Sequence, residues 1–279
     1  MHGAIRVRES NDIPWKVHTM AKNVLSIRPQ SSFGAARDRA YEHMQRIGIR
    51  YLELRVAHPS LARAEQAKYE PLGLSAASVH GQINMTLATC ALSFEPWAVA
   101  CQYLGAKVMF VATSAGDLDR RIAYNRLYEC GEVAARYDVT ICLETHPNLM
   151  TNMTEAVQTI KRVDHPNVRI NFDMANIYYN NENIDGLAEL RHGLDYIGAV
   201  HLKEHNGKHK DVYFPALGDP EGIIDWKQVY ETLNGHGFYG PFTIEIEGKG
   251  DRDIGSTAEL HLQRVVDSVA HLRELGLAD

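Results

Sequence analysis

Short apolar runs rich in β-forming residues alternate with amphipathic stretches eight times along this 279-residue chain, with no linker or low-complexity segment between them. Such alternation predicts a parallel sheet joined by right-handed helical crossovers. Eight repeats predict closure into a barrel, for which about 250 residues is the usual length. The expected architecture is therefore α/β, a single-domain (β/α)8 barrel of the TIM type spanning 1–279, with residues 1–12 as a loose N-terminal arm. The rival is an open doubly wound sheet, which usually carries a Gly-rich phosphate fingerprint after its first strand. Here Arg28-Pro29-Gln30-Ser31-Ser32 stands at that point, and no Walker-type loop occurs anywhere.

The first strand falls at 15–20 or 23–27. Ser31-Ser32 is expected to cap a helix over 33–47. Further strands are expected at 51–56, 74–80, 107–112, from Val139 onward, and at 169–173, 197–201 and 242–245. The helices between them are placed at 59–69, 93–104, 117–137, 151–163 (capped by Thr151 or Asn152), 184–194 and 226–233 (capped by Asp225). A last helix runs from a Ser256 cap to about 275. The longest loop, 205–225, is rich in Gly, Pro and charge, and 215–222 within it is expected to cover the site as a lid.

The last four strands share a design. Val139-Thr140-Ile141-Cys142-Leu143-Glu144, Arg169-Ile170-Asn171-Phe172-Asp173, Ile197-Gly198-Ala199-Val200-His201 and Phe242-Thr243-Ile244-Glu245 are apolar runs that each end in Glu, Asp, His or Glu. A charge closing a strand buried on both faces is unfavourable unless something compensates it. A lone carboxylate at a strand end is more often a helix cap or an ion-pair partner, and a lone histidine a hydrogen-bonded core residue. Four on consecutive strands are hard to explain as caps, because barrel strand ends converge on one bowl. Three carboxylates and an imidazole form a hard, oxygen-rich donor set. It suits one divalent ion, Mn²⁺ first, with Mg²⁺, Co²⁺ or Zn²⁺ as alternatives. Without a cation the carboxylates would repel one another and force protonation.

Five segments, Leu143-Glu144-Thr145-His146-Pro147, Asn171-Phe172-Asp173-Met174-Ala175-Asn176, Val200-His201-Leu202-Lys203-Glu204, the run from Leu217 to Trp226, and Thr243-Ile244-Glu245-Ile246-Glu247, resemble the sugar phosphate isomerase/epimerase superfamily of xylose-isomerase-like barrels. The resemblance implies that Glu144, Asp173, His201 and Glu245 bind one divalent metal, and that Glu144 and Glu245 also act as acid/base groups across the substrate. A metal chelating a carbonyl and its neighbouring hydroxyl acidifies the adjacent C–H and stabilises an enediolate. The expected function is a divalent-metal-dependent isomerase or epimerase of a monosaccharide or related polyol ketone. The alternative is a metal-dependent lyase or dehydratase on a keto-sugar, inosose or dehydroshikimate-like substrate. Two departures bear on this. Many relatives carry His where Asn176 stands, and Asn cannot shuttle a proton. Glu247 projects to the same side as Glu245, so it is kept as a substrate or supporting residue.

Other candidate substrate contacts are His146, Asn176, Lys203, Glu53, His80 and Glu247. Lys203, two beyond His201, can hold an oxyanion or form a rim ion pair with Glu204 or Glu247. Arg55 and His18 are weaker candidates. Tyr178-Tyr179 either walls the pocket or packs under the next helix. No strong phosphate cradle is visible, which favours an unphosphorylated sugar or keto-cyclitol. The net charge of −6 excludes a global basic field for nucleic acid or anionic membrane. No apolar run reaches the ~18 residues of a membrane span, and the polar N-terminus lacks a secretory h-region. The four cysteines form no C-x-x-C pair and read as buried, reduced thiols. The expected setting is cytoplasmic, with a small-molecule partner, no nucleic acid, no membrane and a homo-oligomer by family analogy.

Overall fold

The computed structural model describes residues 23–278. The expected arm at 1–12, the strand option at 15–20 and His18 lie outside them. Eight parallel strands close into one barrel in sequence order: β1 Val24–Ile27, β2 Tyr51–Arg55, β3 Ser75–His80, β4 Val108–Val111, β5 Thr140–Glu144, β6 Val168–Asp173, β7 Ile197–Leu202 and β8 Pro241–Ile244. β1 closes the barrel by pairing with β8, Val24 opposite Pro241 through Ile27 opposite Ile244. Pro241 is tolerated because it is the first residue of its strand, where a missing N–H costs little. The apolar strand residues fill the barrel and its seam with the helices, and Leu52, Val79, Met109, Ile141, Ile170, Phe172 and Phe242 are all fully buried. No helix among the described residues is long and apolar enough to cross a membrane. All four cysteines are free and buried.

Cap chemistry places most of the helices. Asn152, rather than Thr151, accepts from the Glu155 N–H and starts the helix Met153–Val163, and Asp225 accepts from Gln228 N to start Trp226–Gly235. Two expected caps are corrected. Ser256 N donates to Asp253 O and still belongs to the preceding turn, so Thr257 caps the last helix, Ala258–Glu274. Ser31-Ser32 does not cap a helix over 33–47. A short helix starts at Pro29 and ends at Ser32, a 3-10 run covers Gly34–Arg39, and Ala40–Arg46 is helical. Gly34 breaks the run: its φ is +43°, and a Cβ there would sit 2.5 Å from the His261 ring.

Ser32 has a different task. Its buried hydroxyl donates to Ile244 O and accepts from Ile246 N, both at 3.2 Å, and so fixes the backbone on either side of Glu245. Ile244 O also receives Arg28 N at 3.0 Å. The end of β8 is thus held by the turn that follows β1. Ser32→Ala leaves the Ile246 N–H buried without a partner, so we expect a loss of about 1–3 kcal/mol in urea unfolding. A change under about 0.5 kcal/mol would show that the hydroxyl does not hold this backbone.

Candidate metal centre

Strand tilt brings four side chains to one point. Asp173 lies opposite His201, but Glu144 lies opposite Asn171, and Thr243 lies opposite His201. Glu144 and Glu245 are therefore staggered by two residues from the Asp173–His201 pair. A stagger of two keeps every side chain on the inner face, because strand side chains alternate with period two. One ligand atom from each of Glu144, Asp173, His201 and Glu245 lies within 4.8 Å of all the others, and all four residues are buried. His201 Nδ1 is 3.3 Å from Glu144 Oε1, 3.2 Å from Glu245 Oε2 and 3.9 Å from Asp173 Oδ2.

In three of these residues one polar atom is fixed by protein and the other is left toward the centre. Asp173 Oδ1 accepts from Asn176 N at 2.9 Å, Glu245 Oε1 accepts from Arg28 Nη1 at 2.5 Å, and His201 Nε2 lies 3.3 Å from Glu53 Oε2. Asp173 Oδ2, Glu245 Oε2 and His201 Nδ1 are buried with no hydrogen-bond partner. Buried polar atoms are rarely left unpaired, and these three converge on one spot beside Glu144. The donor set fits a divalent cation. With Nε2 facing Glu53, a neutral His201 would offer its Nδ1 lone pair to a cation at the centre. Asp173 meets both expectations at once, since Oδ1 caps the helix Met174–Asn180 while Oδ2 faces the cluster. That seven-residue helix, absent from the expected element order, follows from this cap.

The electrostatics of the cluster fit a divalent cation. Burial pushes the Asp173 carboxyl up, the Glu144 and Glu245 charges add to this, and Lys203 and His201 offset part, leaving it at about 7. Burial opposes charge on His201, but Glu53 and Glu245 outweigh it and hold the imidazole well above its usual range. Burial likewise opposes charge on Glu245, while Lys203 and Arg28 pull it well below the carboxylate range. Glu53, fully buried, accepts from Ser78 Oγ at 2.9 Å as well as facing His201.

Arg28 was not singled out in the sequence, where it counted only as a residue that is not glycine. Its guanidinium reaches Glu245, donates to His80 Nδ1 at 2.9 Å, lies 3.6 Å from Glu53 and rests 4.9 Å above the Phe110 ring. The legible signal was its position just past β1, the counterpart of Glu245 just past β8. His80 packs edge-on to Phe110, and burial and Arg28 lower it to about 4, so it serves as a neutral acceptor.

A cavity of about 380 Å³ opens above the cluster, lined by Glu144, Glu245, Arg28, Lys203, Asn176 and Glu247 among others. Lys203 is buried, in contact with Glu247, 3.5 Å from Glu245 and 3.8 Å from Asp173. Of the two ion-pair partners expected for it, Glu204 is not one. The Glu204 carboxylate instead accepts from Trp226 Nε1 and from the backbone N–H of His205, Gly218 and Ile224. Those bonds, with Tyr213 and Lys249 on Asp219, anchor 215–222, and none of its residues lines the cavity, so the segment is fixed beside the site and is not the lid expected over it. His146 also lines the cavity but is exposed at its rim, its Nδ1 against Pro147 O, because β5 stops at Glu144 and the two-residue rule lapses. The tyrosines divide: Tyr179 lines the cavity, and Tyr178 accepts from Gly186 N under the next helix. Arg55 is exposed at the end of β2 and does not line the cavity.

Glu53→Gln should weaken Mn²⁺ binding about 10–100-fold in a metal titration; unchanged affinity would remove Glu53 as the orienter of His201. Because Asp173 holds its proton up to about 7 in the metal-free protein, Mn²⁺ must displace that proton. Apparent affinity should therefore fall as pH drops from 8 to 6, and a flat profile would contradict the cluster as the site.

Comparison with known proteins places the chain in a family. The xylose isomerase-like TIM barrel family matches residues 88–275. L-ribulose-5-phosphate 3-epimerase UlaE of Escherichia coli (strain K12) is 28% identical over 204 residues, which cover 70% of this chain and 66% of that protein. The alignment thus spans just under two thirds of that relative. The D-psicose 3-epimerase structure from Clostridium cellulolyticum H10, with D-tagatose, superposes with a TM-score of 0.70 at 17% identity, covering 91% of this chain and 99% of that one. The probable 3-DHS dehydratase AsbF from Bacillus anthracis gives 0.64 at 17% identity, with 88% and 98% covered. At such identities the superpositions show a shared fold. The match over residues 88–275, more than half of the chain, makes this chain a member of the xylose isomerase-like TIM barrel family, within the sugar phosphate isomerase/epimerase superfamily.

Proposed function

We propose that the chain is a divalent-metal-dependent isomerase or epimerase of a monosaccharide or related polyol ketone. The observation that carries this reading is the convergence of three unpartnered buried atoms, on Asp173, His201 and Glu245, beside a fourth carboxylate at the floor of a cavity of sugar size. Glu144, Asp173, His201 and Glu245 would hold the ion, and the oxygen-rich set favours Mn²⁺. When bound, such an ion supplies Lewis-acid polarisation of a substrate carbonyl and its neighbouring hydroxyl, which acidifies the C–H between them.

The chain's own groups then handle the proton. Glu144 lines the cavity, and among the described residues its ion pair is with His201 alone, so its carboxylate is available to take up a substrate proton. Glu245 enters from a non-adjacent strand and is kept charged by Arg28 and Lys203, so it is the second, weaker base. Asn176 turns Oδ1 toward Lys203 Nζ at 3.4 Å, which leaves its NH₂ for a substrate hydroxyl. Phe110 and Phe214 on the wall limit the water that reaches the carbon being deprotonated. The named relative, a ketose-phosphate 3-epimerase, supports epimerisation over dehydration. So does Lys203, because three carboxylates hold its ammonium protonated and make it a poor donor to a departing hydroxyl.

The test is incubation of Mn²⁺-loaded protein with a panel of ketoses in D₂O. Deuterium should enter at the carbon beside the carbonyl, and a panel with no exchange would refute the proposal. A new ultraviolet-absorbing enone would select the dehydratase instead. Glu144→Gln should lower turnover by about 10²–10⁴-fold with the circular dichroism spectrum unchanged; turnover within a few-fold of the parent would exclude Glu144 as the proton acceptor.

A further inference from the structure

We infer that this cavity selects an uncharged polyol ketone over its phosphate ester, and that Glu247 sets the preference by occupying Lys203 and presenting a carboxylate at the rim. The inference rests on the function proposed above. A buried ammonium on a cavity wall is the natural anchor for a phosphate. Here that ammonium is already engaged. Lys203 Nζ contacts Glu247, lies 3.5 Å from Glu245 and 3.8 Å from Asp173, donates to Asn176 Oδ1 and sits 4.4 Å from the Phe214 ring centroid. An ammonium has three N–H donors, and three carboxylates and an amide oxygen already surround this one.

The cavity's other basic side chain is committed as well. Arg28 answers to Glu245 and Glu53 and spends a further N–H on His80. In the Mn²⁺-loaded protein Glu144 and Glu245 would be engaged by the ion, so the carboxylate left to face the cavity is that of Glu247, and the two lining cations already have partners. A phosphate dianion would have to displace Glu247 from Lys203 and then lie against its carboxylate. Like charges so placed are strongly disfavoured. Sugar hydroxyls, by contrast, donate to carboxylates at no such cost.

Glu247 is put at the rim by its backbone. Glu247 N donates to Phe214 O at 3.2 Å, Gly248 N donates to the same oxygen at 2.8 Å, and Phe214 N donates to Gly248 O at 2.7 Å. This antiparallel bridge joins the extension of β8 to the β7 loop. The Glu247 side chain is 43% exposed, so its solvation does not depend on Lys203, whereas Lys203 at 4% has no solvent to fall back on. One rim cation stands apart. Lys210 donates to Asn180 Oδ1 at 2.8 Å and lies over Tyr179, with no carboxylate partner among the described residues. An ester anchored from outside would use it.

The experiment titrates Mn²⁺-loaded wild type, Glu247→Gln and Lys210→Ala with L-ribulose and L-ribulose 5-phosphate, and with D-fructose and D-fructose 6-phosphate, by calorimetry, and assays turnover of each. The wild type should favour the free sugar about tenfold or more. Glu247→Gln should narrow or reverse that ratio, chiefly through tighter ester binding, and Lys210→Ala should leave it in place. Glu247→Ser removes the same charge and serves if the glutamine variant does not fold; Glu247→Asp keeps the charge and should keep the preference. A wild type that prefers the esters, with the preference lost in Lys210→Ala, overturns this inference alone. A ratio unmoved by loss of the Glu247 charge overturns the role of that residue. Binding of none of the four ligands overturns the inference together with the function beneath it.

Discussion

A buried cluster of like charges has to be balanced, and much of this barrel's upper half is arranged around that requirement. Glu53, Glu144, Asp173 and Glu245 are at most 6% exposed. Removing several carboxylates from water is very costly unless opposite charges and hydrogen-bond donors replace the solvent. Arg28 and Lys203 supply part of that replacement from inside the chain. What they leave uncompensated is concentrated on Asp173, whose carboxyl rises to about 7, and on the imidazole of His201, which is drawn toward protonation. A divalent ion's charge would complete the balance at this point, where Asp173, His201 and Glu245 each leave one buried atom without a hydrogen-bond partner.

This balance explains why the supporting residues come from strands far from the quartet in sequence. The ends of β5 to β8 carry the four candidate ligands, and the other arc provides what holds them: Arg28 after β1, Glu53 and its donor Ser78 on β2 and β3, and His80 at the end of β3. The β1 turn also clamps the β8 end through Ser32. Closure of the barrel is thus a condition for the site, because β1 and β8 are neighbours only when the sheet closes. The loop after β7 adds the outer wall, pinned from below by Glu204 and joined to the β8 extension through Phe214.

Legibility in the sequence tracked how local each cause was. Ligand strands were readable because an apolar run ending in a charged residue is a local pattern. Asn152 and Asp225 were readable as caps because a side chain two or three residues from a free N–H needs no tertiary partner. Ser31-Ser32 misled because a capping residue type was present while Gly34, with positive φ, prevented the helix it would have capped. His146 does line the cavity, but at its exposed rim, because two-residue periodicity holds only while a strand continues and β5 ends at Glu144. Lys203 and Glu247 were placed on the correct face but with an open choice of partner, which only the position of the β7 loop resolves.

By itself, then, the sequence determined the eight-fold strand–helix alternation, the parallel barrel it implies and the four strand-end residues at its mouth. These follow from periodicity and from the cost of burying charge, both of which act along a few consecutive residues. Only the tertiary structure decided that Arg28 belongs to the site, that Glu53 orients His201, and that Glu204 anchors a loop rather than pairing with Lys203. Each of those depends on contacts between residues that are distant in the chain or brought together by a loop path. Arg28 and Glu245 lie more than two hundred residues apart, and barrel closure makes them neighbours. The strand tilt that staggers Glu144 and Glu245 by two residues, and so brings all four side chains together, is likewise a property of the closed sheet and of no single strand.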